Sequence, residues 1–293
     1  MCRSKITFMK IAIVKLSALG DIIHAMVALQ FIKQHLPNST IDWVVEEGFK
    51  GILVNSPDIN EIHTVSIKKA KQQKSIKLLF NEIKKLRKLP RYDIVIDTQG
   101  LIKSAIVSRA IPSDKTFGFD KNSLRESFAA KFYTDVCSIS YDENIIKRNA
   151  AVISSALDIK ISHDDILTKQ SFLFSNSQIS SDLLSDSKPN IALIPGASFK
   201  SKIYSADQYA QIANKLKSQA NFIVLWGNES ERNMAEKIHK IAPEVHIADK
   251  LTLDGLKGFI MQTDLVIGGD TGPTHMAWAL NIPSITLFGS TPG

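Results

Sequence analysis

The chain has 293 residues, 44% of them hydrophobic and 22% charged, which suits two α/β domains and excludes a disordered chain. Its two cysteines, Cys2 and Cys137, with no Cys/His ligand spacing, argue against a disulfide framework or a structural zinc site and for a reducing compartment. The net charge of +7 is uneven: residues 1–157 hold 24 Lys and Arg against 15 Asp and Glu, residues 158–293 hold 12 against 14. A basic first half implies an acidic partner, either nucleic acid or an anionic membrane surface.

The N-terminus does not read as a signal peptide, because Lys5, Lys10 and Lys15 interrupt its apolar residues. Nothing approaches the ~18 consecutive apolar residues of a membrane span, so a soluble protein is expected. Met9 reads as an alternative start, with residues 1–8 an extension. Lys10–Leu16 is predicted as a buried strand, Ile22–Leu36 as a helix and Thr40–Val45 as a strand. Ser75–Leu89 is predicted as a helix, with Ile76, Leu79, Phe80, Ile83 and Leu86 at helical spacing, and Asp93–Asp97 as a strand. Ser171–Lys188, rich in Ser and Asp, reads as a linker. The alternation then restarts with strand Asn190–Ile194, helix Asp207–Gln219, strand Asn221–Trp226 and helix Ser230–Ile241. Helix Leu253–Gln262, strand Leu265–Gly268, helix Pro273–Leu280 and strand Ser284–Phe288 follow. The fold class is thus α/β: two Rossmann-like, doubly wound domains, 9–170 and 189–293, facing a cleft and joined through 171–188. Ligands of such sheets bind outside the carboxyl ends of the strands.

Five turns at predicted strand ends carry the candidate chemistry. After the first strand, Gly20-Asp21 replaces the G-x-G-x-x-G of a dinucleotide site. Asp21 reads either as a helix N-cap or as a general base. Asp97-Thr98-Gln99-Gly100-Leu101, with Lys103, offers groups for hydroxyls and an anion, or simply turn chemistry with a solvated lysine. Pro195-Gly196-Ala197-Ser198, with Lys202, resembles a phosphate cradle without being a Walker A loop. Glu229 and Glu231 follow Trp226-Gly227, where a carboxylate can take both ribose hydroxyls or complement the helix dipole. Gly268-Gly269-Asp270-Thr271-Gly272-Pro273-Thr274-His275 is the most informative stretch. Its glycines admit a ligand close to the backbone, Pro273 suits the first helical position, and the helix N-terminus offers N–H groups to a diphosphate. His275 is either structural or a donor at that anion site. The basic run Lys68–Arg91 reads as a solvated face or as a contact for anionic lipid or a phosphorylated acceptor. No RNA-binding motif or aromatic platform supports nucleic acid.

Together these residues resemble the lipopolysaccharide heptosyltransferases of glycosyltransferase family 9, from Met9 to the end of the chain. The likeness rests on Lys15, Ser17, Gly20 and Asp21, on Asp42-Trp43-Val44-Val45-Glu46-Glu47, on Asp97-Thr98-Gln99-Gly100-Leu101, and on Asp270-Thr271-Gly272 with His275. The second and third segments resemble the heptosyltransferase I branch more than the heptosyltransferase II branch. The resemblance implies a GT-B fold and an inverting transfer from ADP-L-glycero-β-D-manno-heptose to a Kdo sugar of Kdo2-lipid A, without a metal or other cofactor. The expected location is cytoplasmic, peripherally associated with the inner face of the inner membrane, whose anionic surface is a partner; no nucleic acid is expected. Asp21 matches the family's catalytic base. Ser198 and Lys202 match donor-phosphate contacts, Glu231 the ribose-binding glutamate with Glu229 as fallback, and Asp270, Thr271, Gly272 and His275 the diphosphate and heptose site. Asp97, Gln99, Gly100 and Lys103 are expected on the acceptor side. Tyr204 stands where the family usually has Trp. The family continues beyond Thr291-Pro292-Gly293 into a helix that crosses back to the first domain, so a truncated second domain is expected. The rivals are a heptosyltransferase II or other family 9 transferase with a different acceptor, a sugar-nucleotide epimerase of similar fold, and a non-catalytic nucleotide-sugar binder.

Overall fold

The computed structural model describes residues 8–177, 182–196 and 203–288. The chain divides into two compact units, the first ending at Gln170 and the second beginning at Ser171.

The first unit is built on six parallel strands: β1 (Lys10–Val14), β2 (Thr40–Glu46), β3 (Glu61–Val65), β4 (Tyr92–Asp97), β5 (Ser113–Phe119) and β6 (Asp135–Cys137). Their order is β3-β2-β1-β4-β5-β6, with every pair parallel. β1 and β2 are apolar runs because helices cover both faces of a parallel sheet; Ile11, Ile13, Val14, Trp43, Val44 and Val45 are fully buried. The strand order reverses between β1 and β4, so the crevice of this sheet opens beyond Val14 and Asp97. At the opposite end, Tyr92 donates to Asp42 Oδ2 at 2.6 Å and lies 3.0 Å from His63 Nε2. Ala12, paired with Asp42 on the intervening strand, leaves room for the tyrosine ring. Burial alone would raise the Asp42 carboxyl, but its hydrogen bonds with His63, Tyr92 and Asn60 outweigh this and hold it low. Asp42, Glu61 and His63 bring ligand-capable atoms within 4.8 Å of one another, and the close contacts of Asp42 and His63 with Tyr92 account for them structurally.

One helical expectation differs from the structure, and a second, the helix predicted over Ser75–Leu89, is present over Ile76–Leu86. Ile22–Leu36 is two helices, Leu19–Met26 and Ala28–His35. Val27 between them keeps right-handed helical angles (φ −55, ψ −30), so the break lies in the hydrogen-bond ladder and not in the direction of the backbone. Ser75 caps helix Ile76–Leu86, its Oγ accepting from Leu78 N at 3.3 Å. Of its apolar stripe only Leu86 is buried, while Ile76, Leu79 and Phe80 face solvent.

The second unit carries β7 (Asn190–Ile194), β8 (Asn221–Val224), β9 (His246–Ile247), β10 (Leu265–Gly269) and β11 (Ser284–Leu287), in the order β11-β10-β7-β8-β9 and again all parallel. Its switch point lies between β7 and β10. The segment read as a linker begins inside this unit. Phe172 and Leu173 are buried, Phe172 N donates to Ala279 O at 3.1 Å, and Ser177 Oγ donates to Asp254 Oδ2 at 2.7 Å. Among the described residues no helix is long and apolar enough to cross a membrane.

Candidate functional site

In the first unit the sequence motifs meet at the switch point. Lys15 follows β1 and is buried; its ammonium donates to the Thr98 carbonyl at 2.8 Å. Burial pushes this lysine down to about 8, against the pull of Asp21 and Asp97 and with some help from Arg148. Gln99 ties the two loops together: its Oε1 accepts from Leu16 N at 2.8 Å and its Nε2 donates to Ser17 Oγ at 3.4 Å. Lys103, in the first turn of helix Ile102–Ala110, donates to the same hydroxyl at 3.1 Å. Asp21 stands at the third position of helix Leu19–Met26, half-buried, and accepts from Ala18 N at 3.2 Å. Asp21 is thus not the N-cap, which is Ala18; it reaches back from the third helical position to the Ala18 N–H, and its other oxygen makes no part of that bond.

Asp97 is 0% exposed. Its Oδ1 accepts from Gln99 N at 2.8 Å and Gly100 N at 3.1 Å, and its Oδ2 accepts from Tyr133 OH at 2.8 Å. Burial raises this carboxyl, the hydrogen bonds from Gly100, Ser104, Gln99 and Tyr133 opposing it; burial and the charge of Asp97 push the Tyr133 phenol up in turn. Asp97 thus shapes the turn in which Gly100 takes φ +69, a left-handed angle with no room for a side chain, since a Cβ would lie 2.6 Å from Leu124. Glu46, at the end of β2, accepts from Lys68 N at 2.8 Å. Burial raises its carboxyl, Lys68 and Lys103 opposing and Glu82 adding to the rise. Neither Tyr133 nor Glu82 belongs to a strand-end motif of the sequence. Their signal is only spatial, since Tyr133 lies far from Asp97 in sequence.

In the second unit two groups flank the end of β7. Gly196 packs against the Glu231 carboxylate so closely that a Cβ there would clash with it. Glu231 Oε2 accepts from Gly227 N at 2.7 Å, and Asn228 caps the helix Glu229–Ile241 by accepting from Glu231 N at 3.1 Å. Glu229, by contrast, is exposed. On the other side, Gly268 of β10 lies where a Cβ would sit 2.5 Å from Thr274 Oγ1 and 2.6 Å from Ile194. Thr271 precedes helix Gly272–Ala279, with Pro273 in its first turn, and His275 Nε2 lies 3.1 Å from Asp270 Oδ1. Thr271, Gly272, Asp270 and His275 are all partly exposed, so the turn presents a helix N-terminus and an imidazole paired with a carboxylate, a combination suited to holding a diphosphate. Tyr204 stacks edge-on against Tyr209 with centroids 5.1 Å apart, and Tyr209 donates to Ile194 O at 3.1 Å. Ser198 and Lys202 lie outside the described residues.

Two parallel doubly wound sheets, each with glycine- and acid-bearing turns at its switch point, are the architecture of the GT-B class. The model of glycosyltransferase family 9 (heptosyltransferase) matches residues 80–293. Lipopolysaccharide heptosyltransferase 1 of Campylobacter coli is 40% identical, over 97% of this chain and 85% of that protein; the protein of the same name from Pseudomonas aeruginosa is 27% identical, over 97% and 80%. The solved structure of E. coli heptosyltransferase WaaC with ADP-2-deoxy-2-fluoro heptose superposes with a TM-score of 0.83 at 26% identity, covering 97% of this chain and 90% of that one. The chain belongs to glycosyltransferase family 9, and it is a heptosyltransferase of lipopolysaccharide core synthesis, similar to heptosyltransferase I.

Proposed function

We propose that the chain transfers L-glycero-D-manno-heptose from ADP-heptose to a Kdo sugar of Kdo2-lipid A, with inversion and without a metal. The observation that carries this reading is the pairing, at the end of β7, of Glu231 on one side and the Asp270–His275 turn on the other. A carboxylate can accept from both ribose hydroxyls, and a helix N-terminus offers N–H groups to a diphosphate. The fluoro-heptose analogue held by the similar E. coli enzyme supports ADP-heptose as donor.

In this reading Asp21 takes the proton from the acceptor hydroxyl, whose oxygen attacks the anomeric carbon opposite the ADP. Thr271 and Gly272 at the helix N-terminus, His275, and Ser198 with Lys202 stabilise the charge growing on the leaving diphosphate, which is the part a divalent cation plays elsewhere. Glu231 orients the ribose. On the acceptor side Gln99 and Lys103 face the substrate beside Ser17, while the fully buried Asp97 and the turn at Gly100 hold them in place. The basic first half supports association with the anionic inner face of the inner membrane, where a lipid acceptor resides.

The test is transfer from ADP-heptose to Kdo2-lipid A in excess EDTA, read by product mass. A product heavier by one heptose is expected. Transfer only to an acceptor that already bears a heptose would reassign the acceptor, and activity lost in EDTA but restored by magnesium would refute metal independence.

A further inference from the structure

Helix Ile76–Leu86 departs from the usual amphipathic arrangement, in which the apolar stripe faces the core. Ile76 is 84% exposed, Phe80 65% and Leu79 42%, whereas Leu86, at the far end of the stripe, is 1% exposed. Ile76 and Leu79 form one wall of an open groove of about 770 Å³, and Ile67, Ile102 and Ile106 contribute its apolar lining. Ile106 is itself exposed. A contiguous apolar patch of this kind on a soluble domain marks an interaction surface.

The surrounding charge identifies the partner. Lys71 and Lys74 stand at the groove itself. At about 3.6 residues per turn, Lys77 and Lys84 fall on the strip of helix beside the apolar one, and all of these lysines are exposed. Lysine is depleted at protein–protein interfaces, whereas an exposed apolar strip flanked by lysines is the signature of a helix lying in a lipid–water interface.

We infer that this face of the first unit inserts into the surface of an anionic bilayer, with Ile76, Leu79 and Phe80 entering the acyl boundary and the lysines meeting lipid phosphates. The inference deepens the membrane association proposed above and rests on it. It also gives the association a direction. The groove runs to Lys103, whose ammonium reaches Ser17 Oγ at 3.1 Å, so the inserted face leads to the loop that carries Asp21.

The experiment uses the full chain and vesicles of phosphatidylglycerol and phosphatidylethanolamine, with phosphatidylcholine vesicles as the neutral comparison and neither donor nor acceptor present. An indole introduced by Phe80→Trp should shift its emission to the blue on the anionic vesicles. The double substitution Ile76→Gln with Phe80→Gln should weaken partitioning by at least about tenfold while leaving the thermal midpoint unchanged, since both side chains face solvent. Unweakened binding by the double variant, absence of a blue shift, or equal binding to neutral and anionic vesicles would overturn the inference. A chain that inserts but transfers no heptose to detergent-dispersed acceptor would overturn the functional reading and leave the insertion standing.

Discussion

Replacing Lys15 by methionine tests the electrostatics of the first switch point. Lys15 is 2% exposed, and its folded value is pushed from the usual 10.5 down to about 8, chiefly by burial, with Asp21 and Asp97 pulling it upward. The folded chain therefore sheds this proton before the unfolded chain does. Between about pH 8 and pH 10.5 the unfolded state binds more protons, so stability rises with pH across that window. From pH 7 to pH 9 the gain from this one group is about 1–2 kcal/mol. Lys15→Met removes the titrating group but keeps the length of the side chain, so the gain should vanish from the difference between the two proteins while all other titrations cancel. At pH 7 the substitution relieves the burial of a charged ammonium but loses its hydrogen bond to Thr98 and its attraction to Asp21 and Asp97, opposing effects that should leave a small net change. The assay is urea unfolding at pH 7 and pH 9, followed by tryptophan fluorescence. Trp43 is a local reporter, fully buried and donating to the Lys15 carbonyl at 3.3 Å. The parent midpoint should rise by about 0.5–1 M urea relative to the variant. An equal rise in both proteins would refute the assignment of the window to Lys15.

Three further outcomes follow from the geometry. Asp21→Asn should lower the rate of heptose transfer by about 10²–10⁴-fold while ADP-heptose binding, read by calorimetry, persists; full activity would remove Asp21 from the chemistry. Glu231→Gln should raise the KM for ADP-heptose about tenfold with little change in kcat, the loss of about one hydrogen bond to the ribose; an unchanged KM would move the ribose elsewhere. Gly268→Ala should cost about 1–3 kcal/mol of stability in the second unit, because the new methyl meets Ile194 and Thr274, and a melting temperature equal to the parent's would show that β10 has room to shift.

Much of the architecture was legible because parallel strands buried on both faces are written as short apolar runs. Lys10–Leu16, Asp93–Asp97 and Asn190–Ile194 each appear near the observed bounds. The short edge strands β6 and β9 were not legible, since three and two residues carry no measurable period. β5 begins Ser-Asp-Lys, and its buried half is only Thr116–Phe119, too brief to stand out. Helix Ile145–Leu157 buries Arg148, whose guanidinium lies over Phe119 at 4.8 Å and donates to the Ser123 and Ser140 carbonyls, each at 2.8 Å; a charged residue facing inward obscures the helical pattern. At the candidate site the strand-end motifs stand, as expected from the strand pattern, in the turns that follow β1, β4, β7 and β10. The division of labour within a turn was not legible. Asp97 and Gln99 are two residues apart, yet one is sealed in the core and the other braces the neighbouring loop, a difference set by Tyr133 and Leu16, which are remote in sequence.

The brace formed by Gln99 and Lys103 on Ser17 bears on engineering. The loop after β1 owes part of its position to side chains from the loop after β4, through Leu16 N and a single shared hydroxyl. A chimera that imports one of these loops from a relative with a different acceptor would arrive without its support. The two loops should therefore be exchanged together, as a matched set.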